Sequence, residues 1–367
     1  MNLGNTSLRY VIVLPLSVLL FACGNGDGGG GGGTSTSTVS AYVTDDLGGY
    51  QSVELTLNTV QLRHTSGRNC EIIQGPLSVD AAELGHDQIL ENVDTTLCEA
   101  GSYNRLHVEL AEDVTLVQNV NGQNQTSNCK FVSYYEDNKV TPNRLACTNG
   151  ICTLDINGAV NLVAGSHEHV ALDADLKEFT VDFTPTPCEV TLKVSPLHAQ
   201  GFDNKMAAGY RKAISGLVSD LDTNLDTFLL THDGHSYAVQ YAGVTDQPGI
   251  DALFERAATD QLKTRVRCTT LNEGTTPPTC TATTDASKPI KAIAVQVEGT
   301  VSDLGVDMAT PLSFTLAYGN GNSMPVNYTT ASNDGNVEGT LADGVTAEVK
   351  LYGFDLDYFL AREVETN

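Results

Sequence analysis

ISGLVSDL, at residues 214–221, returns as VEGTVSDL at residues 297–304. Four further segments recur in the same order at a spacing of about 85 residues, a pattern that indicates a duplicated structural unit. The paired segments are 227–230 with 313–316, 237–241 with 324–328, 262–267 with 344–350, and 293–297 with 359–364. Each copy contains enough short segments of strand character for a small closed barrel. We therefore predict two β-barrel-like repeats, at residues 213–297 and 298–367.

The N-terminal half has the same strand character. Residues 52–62 and 101–110 alternate apolar and polar side chains with a period of two, as half-buried strands do. Other runs rich in Val, Thr, Leu and Tyr are broken by Gly, Asn and Asp, and Trp is absent. A short helical segment is expected at residues 81–90. We predict an all-β protein with an N-terminal β-sandwich over residues 39–200 and a linker over residues 201–212.

The N-terminus has the order of a bacterial lipoprotein signal. Arg9 precedes an apolar run at residues 11–21, and Ala22 stands directly before Cys23. A membrane-spanning helix needs about 20 apolar residues, so this run is too short to be an uncleaved anchor. Residues 1–22 are predicted to be a signal peptide and Cys23 to be the acylated first residue of the mature protein. Its acyl chains are expected to anchor the protein in the bacterial cell envelope, at the outer membrane.

A tether is expected to follow the lipidated residue. Residues 23–38 consist almost entirely of Gly, Ser and Thr after the cysteine, and such a composition behaves as a flexible coil. The glycines at 28–33 could be mistaken for a phosphate-binding loop. No strand precedes them and no Gly-Lys-Ser/Thr follows them, so the linker interpretation is preferred.

The chain is strongly acidic. It has 45 Asp and Glu residues against 20 Lys and Arg residues, a net charge of −25. Such a surface repels the phosphates of nucleic acids and the faces of anionic membranes, so no nucleic-acid partner is expected. The acidic surface favours solubility or weak binding of divalent cations. No other cofactor is expected from the sequence.

The cysteines predict disulfides. Eight remain when Cys23 is acylated, and an even number in an exported chain favours disulfides over metal thiolates. One pair brackets a turn-rich loop in the C-terminal half and another flanks an Asn-Gly turn, whereas the pairing of the other four is a preference among alternatives. The expected pairs are Cys268–Cys280, Cys147–Cys152, Cys70–Cys98 and Cys129–Cys188. A zinc site on Cys147 and Cys152 is a weaker alternative, because no CxxC partner exists elsewhere.

Several N-terminal segments resemble a bacterial lipoprotein module, domain of unknown function 4382. The segments are Thr44-Asp45, Leu77-Ser78-Val79-Asp80 with Leu84, and Gly101-Ser102-Tyr103 continuing as Arg105-Leu106-His107-Val108. The resemblance covers residues 38–200, with an insertion at 129–152 that departs from the usual pattern. It implies a β-sandwich on an envelope lipoprotein and carries no established activity or catalytic residue. The order of the two C-terminal repeats is similar to domain of unknown function 5666.

Two close pairs of histidines are candidate metal ligands. His167 and His169 lie two apart on an expected strand, so their side chains face one way, and Asp173 and Asp175 follow. The second pair is His232 with His235. Either pair could hold a metal ion if a third ligand converged on it, although exposed histidines without a metal are commoner.

A run of acidic residues is a further weak candidate. Asp220 and Asp222 begin a segment with a side-chain oxygen at every second position, as in a calcium loop. Leu225 occupies the sixth position and Thr231 the twelfth, where an EF-hand has Gly and Glu. A polar hairpin turn is therefore the preferred interpretation.

Two classes of function remain. No GxSxG motif is present, and in Ser166-His167-Glu168 neighbouring side chains on a strand point to opposite faces, so no catalytic residue is assigned. The favoured hypothesis is a lipid-anchored, non-catalytic binding or scaffolding module for an envelope protein, a polysaccharide or an external surface. The alternative is a metal-dependent or hydrolytic envelope enzyme that uses dispersed Asp and His residues.

Overall fold

The computed structural model describes most of the chain beyond the predicted signal and tether. The described residues are 35–44, 50–64, 66–86, 89–120, 123–136, 143–173, 176, 179–194, 197–198, 205–206, 208, 210–232, 234–284, 291–305, 312–319, 321–328, 336–338 and 340–366. The predicted signal peptide, Cys23 and Asp175 lie outside them. Residues 35–367 form one compact unit. Among the described residues, no helix has the length and apolar character needed to cross a membrane.

The described chain consists mainly of strands, with little helix, which confirms the predicted all-β class. In the N-terminal half a short helix, α1 (Ala81–His86), follows the third strand directly. The strands of this half are β1 (Thr36–Thr44), β2 (Ser52–Arg63), β3 (Asn69–Asp80), β4 (Ile89–Glu99), β5 (Gly101–Ala111), β6 (Asp113–Val120), β7 (Gln123–Glu136), β8 (Asn143–Arg144), β9 (Ala146–Thr148), β10 (Ile151–Leu162), β11 (His167–Asp173), β12 (Thr180–Asp182), β13 (Cys188–Val194) and β14 (Leu197–His198).

These strands form a sandwich of two layers. The larger layer has the order β12-β13-β7-β6-β2-β5-β10-β14. In the smaller layer β1 lies parallel to β11 and antiparallel to β4. Side chains alternate along β1, and its Val39, Ala41 and Val43 are buried in one core with Leu57 and Leu110 of the larger layer. The burial of both inner faces against each other stabilises the sandwich.

Strand β1 begins inside the stretch that the sequence predicts as tether. The backbone N–H of Thr38 donates to the carbonyl of Ser166 at 2.9 Å, and the Ser37 hydroxyl donates to the same carbonyl at 3.1 Å. A Ser/Thr composition alone does not show this pairing, because the partner lies far away in sequence. Residues 36–38 therefore belong to the sheet rather than to the linker.

The C-terminal half contains the repeated strands and one longer helix, α2 (Ile250–Asp260). Its strands are β15 (Arg211–Asp222), β16 (Thr227–His232), β17 (His235–Gly243), β18 (Lys263–Arg267), β19 (Thr270–Asn272), β20 (Thr279–Thr283), β21 (Ile293–Ser302), β22 (Leu312–Tyr318), β23 (Asn322–Tyr328), β24 (Asn336–Glu338), β25 (Thr346–Asp355) and β26 (Tyr358–Thr366). Strand β15 includes residues 211 and 212, which the sequence assigns to the linker.

The second repeat closes as a five-stranded barrel. Strands β21, β22 and β23 pair in antiparallel order, β23 pairs with β26 in parallel, and β25 joins β26 back to β21. Apolar residues such as Val301, Leu316, Val326 and Val349 are buried inside it. The closure leaves no free edge between these five strands.

The first repeat has the same strand order but forms a curled sheet. Strands β15, β16, β17 and β18 correspond to β21, β22, β23 and β25. The hairpin of β19 and β20 pairs with β17 in the place that β26 takes beside β23. Strand β21 is shared, because its first half pairs with β18 and its second half with β22. The predicted boundary at residues 297 and 298 falls inside this strand.

The two halves have separate cores and a common sheet. The C-terminal core includes Phe228, Tyr241 and Phe254, whose ring centroids lie 4.5 to 5.8 Å apart. Strand β4 of the sandwich pairs in parallel with β15 of the first repeat, with Ile89 opposite Arg211. The sheet therefore continues from the sandwich into the repeats.

All four disulfides expected from the sequence are present. They are Cys70–Cys98, Cys129–Cys188, Cys147–Cys152 and Cys268–Cys280. The zinc alternative at Cys147 and Cys152 is wrong, because both thiols are consumed by their disulfide.

Candidate functional site

The histidines of strand β11 lie together at the junction of the two halves. His167 and His169 project from the same face of the strand, as alternation requires, and their rings stack with centroids 5.1 Å apart. Each is partly exposed, with 26% and 29% of the side chain accessible. Pairing of β11 with the buried strand β1 fixes the backbone beneath both rings.

A carboxylate from the other half of the chain completes this cluster. Glu273 lies in the turn between β19 and β20, in the loop closed by the Cys268–Cys280 disulfide. Its side chain is only 5% exposed. Oε2 lies 2.9 Å from His169 Nε2 and Oε1 lies 3.8 Å from His167 Nε2. One ligand atom can be chosen from each of these three residues such that all three atoms lie within 4.8 Å of one another.

Three neighbouring side chains hold in place the group of His167, His169 and Glu273, called the Glu273 cluster below. The Lys212 ammonium lies 2.7 Å from Glu273 Oε2 and 3.2 Å from His169 Nε2. The Tyr42 hydroxyl donates to Glu273 Oε1 at 2.6 Å, and Ser40 Oγ lies 2.8 Å from His167 Nε2. The ammonium therefore lies where a bound cation would meet the same donor atoms.

Burial and these contacts shift the ionisation of the cluster. Burial by itself would raise the pKa of the Glu273 carboxyl, but hydrogen bonds from His169, Lys212, Ser40 and Tyr42 hold it well below its usual range. Burial and the Glu273 charge raise the pKa of Tyr42 far above its usual range. Burial lowers the pKa of His167, whereas the negative charge of Glu273 acts in the opposite direction and raises it. At neutral pH Glu273 is charged and the His167 ring is neutral.

This donor set is one that transition metals use. Two imidazole nitrogens and one carboxylate oxygen, with remaining positions open, bind zinc or iron in proteins. The sequence identifies the two histidines and misses Glu273 and Lys212. Glu273 lies 104 residues from His169, and its immediate sequence, Asn272-Glu273-Gly274, has the ordinary composition of a turn.

The other residues singled out in the sequence have other partners. Asp173 pairs with Lys205 at 2.8 Å instead of joining the histidines. His235 Nε2 lies 3.1 Å from Asp94 Oδ1, and His232 stands opposite His235 across the hairpin of β16 and β17. No third ligand gathers at that second pair among the residues that the structure describes.

The acidic segment after β15 forms a hairpin turn. Asp222 Oδ1 accepts hydrogen bonds from the backbone N–H groups of Asn224 and Leu225, at 3.0 and 3.3 Å. Asp220 has a φ of 47°, in the left-handed region. The Asp222 carboxylate therefore caps the backbone of the turn, in agreement with the preferred interpretation of the sequence.

The Ser166-His167-Glu168 segment does not assemble as nucleophile and base. Ser166 Oγ lies within hydrogen-bonding distance of Glu168 Oε1, at 2.9 Å, and of the carbonyl oxygen of Val163, at 2.8 Å, and its one proton serves one of these acceptors. The His167 ring contacts Ser40 instead. The Ser166 hydroxyl and the His167 imidazole thus belong to different hydrogen-bond networks.

A polar cleft of about 440 Å³ lies where the sandwich meets the repeats. Strands β2, β4 and β6 line it on one side, and β15, β18 and β25 on the other. Its charged lining consists of the six carboxylates Glu54, Asp80, Glu83, Glu91, Asp113 and Glu348, with the cations Lys263 and Arg265 and the neighbouring His232.

The charge of this cleft is only partly compensated. Arg265 pairs with Glu83 at 2.5 Å and with Glu91 at 2.9 Å. Glu54 is exposed at its outer end but partly desolvated by the cleft, which raises its pKa, and repulsion from Asp80 and Glu298 raises it further. Burial likewise raises the pKa of Glu348. The cleft therefore favours positive charge.

Comparison of the chain with models of protein families, with characterised proteins and with solved structures finds no significant match.

Proposed function

We propose that this protein is a lipid-anchored binding module of the bacterial cell envelope, attached at the outer membrane through Cys23. Its ligand is a basic segment of an envelope protein, bound in the cleft between the sandwich and the repeats. The N-terminal sequence supports the anchor, and the resemblance to domains of unknown function 4382 and 5666 is part of the same proposal. The acid-lined cleft of about 440 Å³ is the observation that carries the binding function.

Two carboxylates in the cleft are suited to contact a basic ligand. Glu54 and Asp113 are both exposed, and among the described residues neither takes part in an ion pair. Partial burial and then repulsion from Asp80 and Glu298 raise the pKa of Glu54, and a cationic group placed there would relieve the repulsion. A net charge of −25 further steers basic partners toward the protein.

The partner can be identified by capture from cross-linked envelopes with the full chain as bait. The double variant Glu54→Gln/Asp113→Asn removes two charges from the cleft, and we expect it to lose the captured basic protein. The matched control, Glu71→Gln/Glu189→Gln, removes the same charge from exposed sites on β3 and β13 and should capture normally. Equal capture by both variants, or capture of polysaccharide alone, would contradict this assignment.

The anchor has a separate test. Mass spectrometry of the purified protein should find an acylated Cys23 at the amino end and no free thiols. The Cys23→Ser variant should leave the membrane fraction. An unmodified amino terminus would reject the anchor without affecting the cleft.

A further inference from the structure

We propose that His167, His169 and Glu273 form a binding site for Zn²⁺, which the Lys212 ammonium occupies in the metal-free protein. The site is separate from the cleft and does not depend on the membrane anchor. Zinc binding would join strand β11 of the sandwich to the β19–β20 turn of the first repeat. It would thereby fix the junction between the two halves.

The distances between donor atoms are close to those of a zinc site. Zn–N and Zn–O bonds of about 2.0 to 2.1 Å in a tetrahedron place neighbouring ligand atoms about 3.3 Å apart. His169 Nε2 lies 2.9 Å from Glu273 Oε2 and His167 Nε2 lies 3.8 Å from Glu273 Oε1, and one ligand atom from each of the three residues lies within 4.8 Å of the other two. Side-chain shifts of up to about 1.5 Å would bring one ligand atom of each residue to zinc geometry.

The ligands are held by rigid elements and by outer partners. Strand β1 supports both histidines through the register of Thr38 with His167 and Ser40 with His169. The Cys268–Cys280 disulfide closes the loop that carries Glu273. The Tyr42 hydroxyl binds Glu273 Oε1, as an outer-shell donor commonly binds a ligating carboxylate.

Lys212 is placed to exchange with a metal ion. Its ammonium touches two of the three ligand atoms, Glu273 Oε2 and His169 Nε2. Its Nζ also lies 5.4 Å from the centre of the Tyr42 ring, where a cation is attracted by the π face. A flexible side chain of this length can withdraw when a divalent ion takes the carboxylate. The competition implies that Lys212 weakens zinc affinity.

Titration calorimetry of the full chain with zinc chloride tests the site. We expect one zinc ion per chain, and X-ray absorption should show two imidazole nitrogens and a carboxylate oxygen. His169→Ala should weaken binding by more than about 100-fold, since loss of an outer-shell partner alone costs about 10- to 100-fold. Lys212→Met should strengthen binding about tenfold, because it removes a charge-assisted hydrogen bond that the metal must break.

The controls separate ligation from folding and from adventitious binding. Glu168→Gln alters the neighbouring carboxylate on β11 and His64→Ala removes a partly exposed histidine elsewhere, and neither should change zinc affinity. The gain with Lys212→Met cannot come from misfolding. Zinc binding that survives His169→Ala, or the absence of binding in both the wild type and Lys212→Met, would overturn the proposal. Unchanged affinity in Lys212→Met would overturn the competition.

Discussion

At the scale of single residues, the repeated sequence is explained by a close approach of two strands. A Cβ atom on Gly216 of β15 would lie 2.5 Å from the carbonyl oxygen of Thr231. Gly299 of β21 faces the carbonyl of Ala317 at least as closely. Four residues further on, Asp220 and Asp303 both have positive φ, 47° and 52°. The same glycine and the same aspartate thus serve equivalent bends in both repeats.

Replacement of this glycine should therefore be costly. Gly216→Ala forces a methyl group against a backbone carbonyl, and we expect it to lower the free energy of unfolding by about 1 to 3 kcal/mol. Gly274→Ala is the control, because its Cβ would meet nothing closer than Asn272 Oδ1 at 3.5 Å. Urea unfolding measures the free energy of unfolding of both variants. Equal stability of the two variants would refute the steric explanation.

The largely buried Glu363 and Glu365 pair should make the stability of the protein fall as the pH rises. Burial and repulsion from Glu363 raise the pKa of Glu365 to about 9, although Lys350 opposes the shift. An acid with a raised folded pKa contributes stability fully below its unfolded pKa of about 4.5 and loses it as the pH rises toward the folded value. The free energy of unfolding should therefore fall between about pH 5 and pH 9. Glu365→Gln should flatten that slope, whereas the exposed Glu189→Gln should keep it.

At the scale of elements, the inserted hairpin distinguishes the two repeats. Strand β20 pairs in parallel with β17, with Val239 opposite Cys280, in the position that β26 takes beside β23. The Cys268–Cys280 disulfide fastens this hairpin and so positions the turn that carries Glu273. The first repeat stays curled because the insertion occupies the edge at which the second repeat closes.

Removal of this disulfide should loosen the hairpin. The double variant Cys268→Ala/Cys280→Ala opens a loop with a sequence separation of 12. We expect a loss of about 2 to 3 kcal/mol in the free energy of unfolding and faster hydrogen exchange in residues 269–281. Cys147→Ala/Cys152→Ala is the comparison, since its separation of 5 closes a shorter loop and should cost less. A larger loss in that second variant would contradict the loop-closure explanation.

At the scale of the whole molecule, buried charges join the sandwich to the repeats. Glu83 of α1 lies 2.5 Å from Arg265 of β18 and 3.2 Å from Lys350 of β25. All three side chains are almost fully buried. With the β4–β15 pairing and the Glu273 cluster, they make three separate connections between the halves.

Loss of the Glu83 charge should weaken this junction. Glu83→Gln leaves Lys350 and Arg265 buried without the carboxylate that they share. We expect it to lower the free energy of unfolding by about 3 to 5 kcal/mol. Burial alone would raise the pKa of Glu83, but Arg265 and Lys350 hold it well below its usual range. That stability is present above the unfolded pKa of about 4.5 and is lost as the pH falls below it.

Acid unfolding monitored by circular dichroism measures both effects. The wild type should lose stability below about pH 4.5 more steeply than Glu83→Gln. The control Glu71→Gln removes an exposed carboxylate of β3 and should follow the wild type. A wild-type slope in Glu83→Gln would show that its ionisation is not linked to folding.

The sequence by itself determined the features that depend on local order. Period-two alternation predicts strands because neighbouring side chains on a strand face opposite sides. The duplicated motif predicts two related units because the same bend needs the same glycine. Cysteine spacing predicts the two disulfides that close short loops, Cys147–Cys152 and Cys268–Cys280. Alternation places His167 and His169 on one face of β11.

Only the tertiary structure decided which distant residues meet. The Glu273 carboxylate reaches His169 across 104 positions in the chain because the β19–β20 hairpin and strand β11 are carried to the same junction. Lys212 lies in a predicted linker, yet pairing of β15 with β4 brings it to the same carboxylate. Closure of one barrel and formation of the acidic cleft likewise depend on long-range strand pairing. Local sequence patterns specify the face of a strand, but they carry no information about what packs against it.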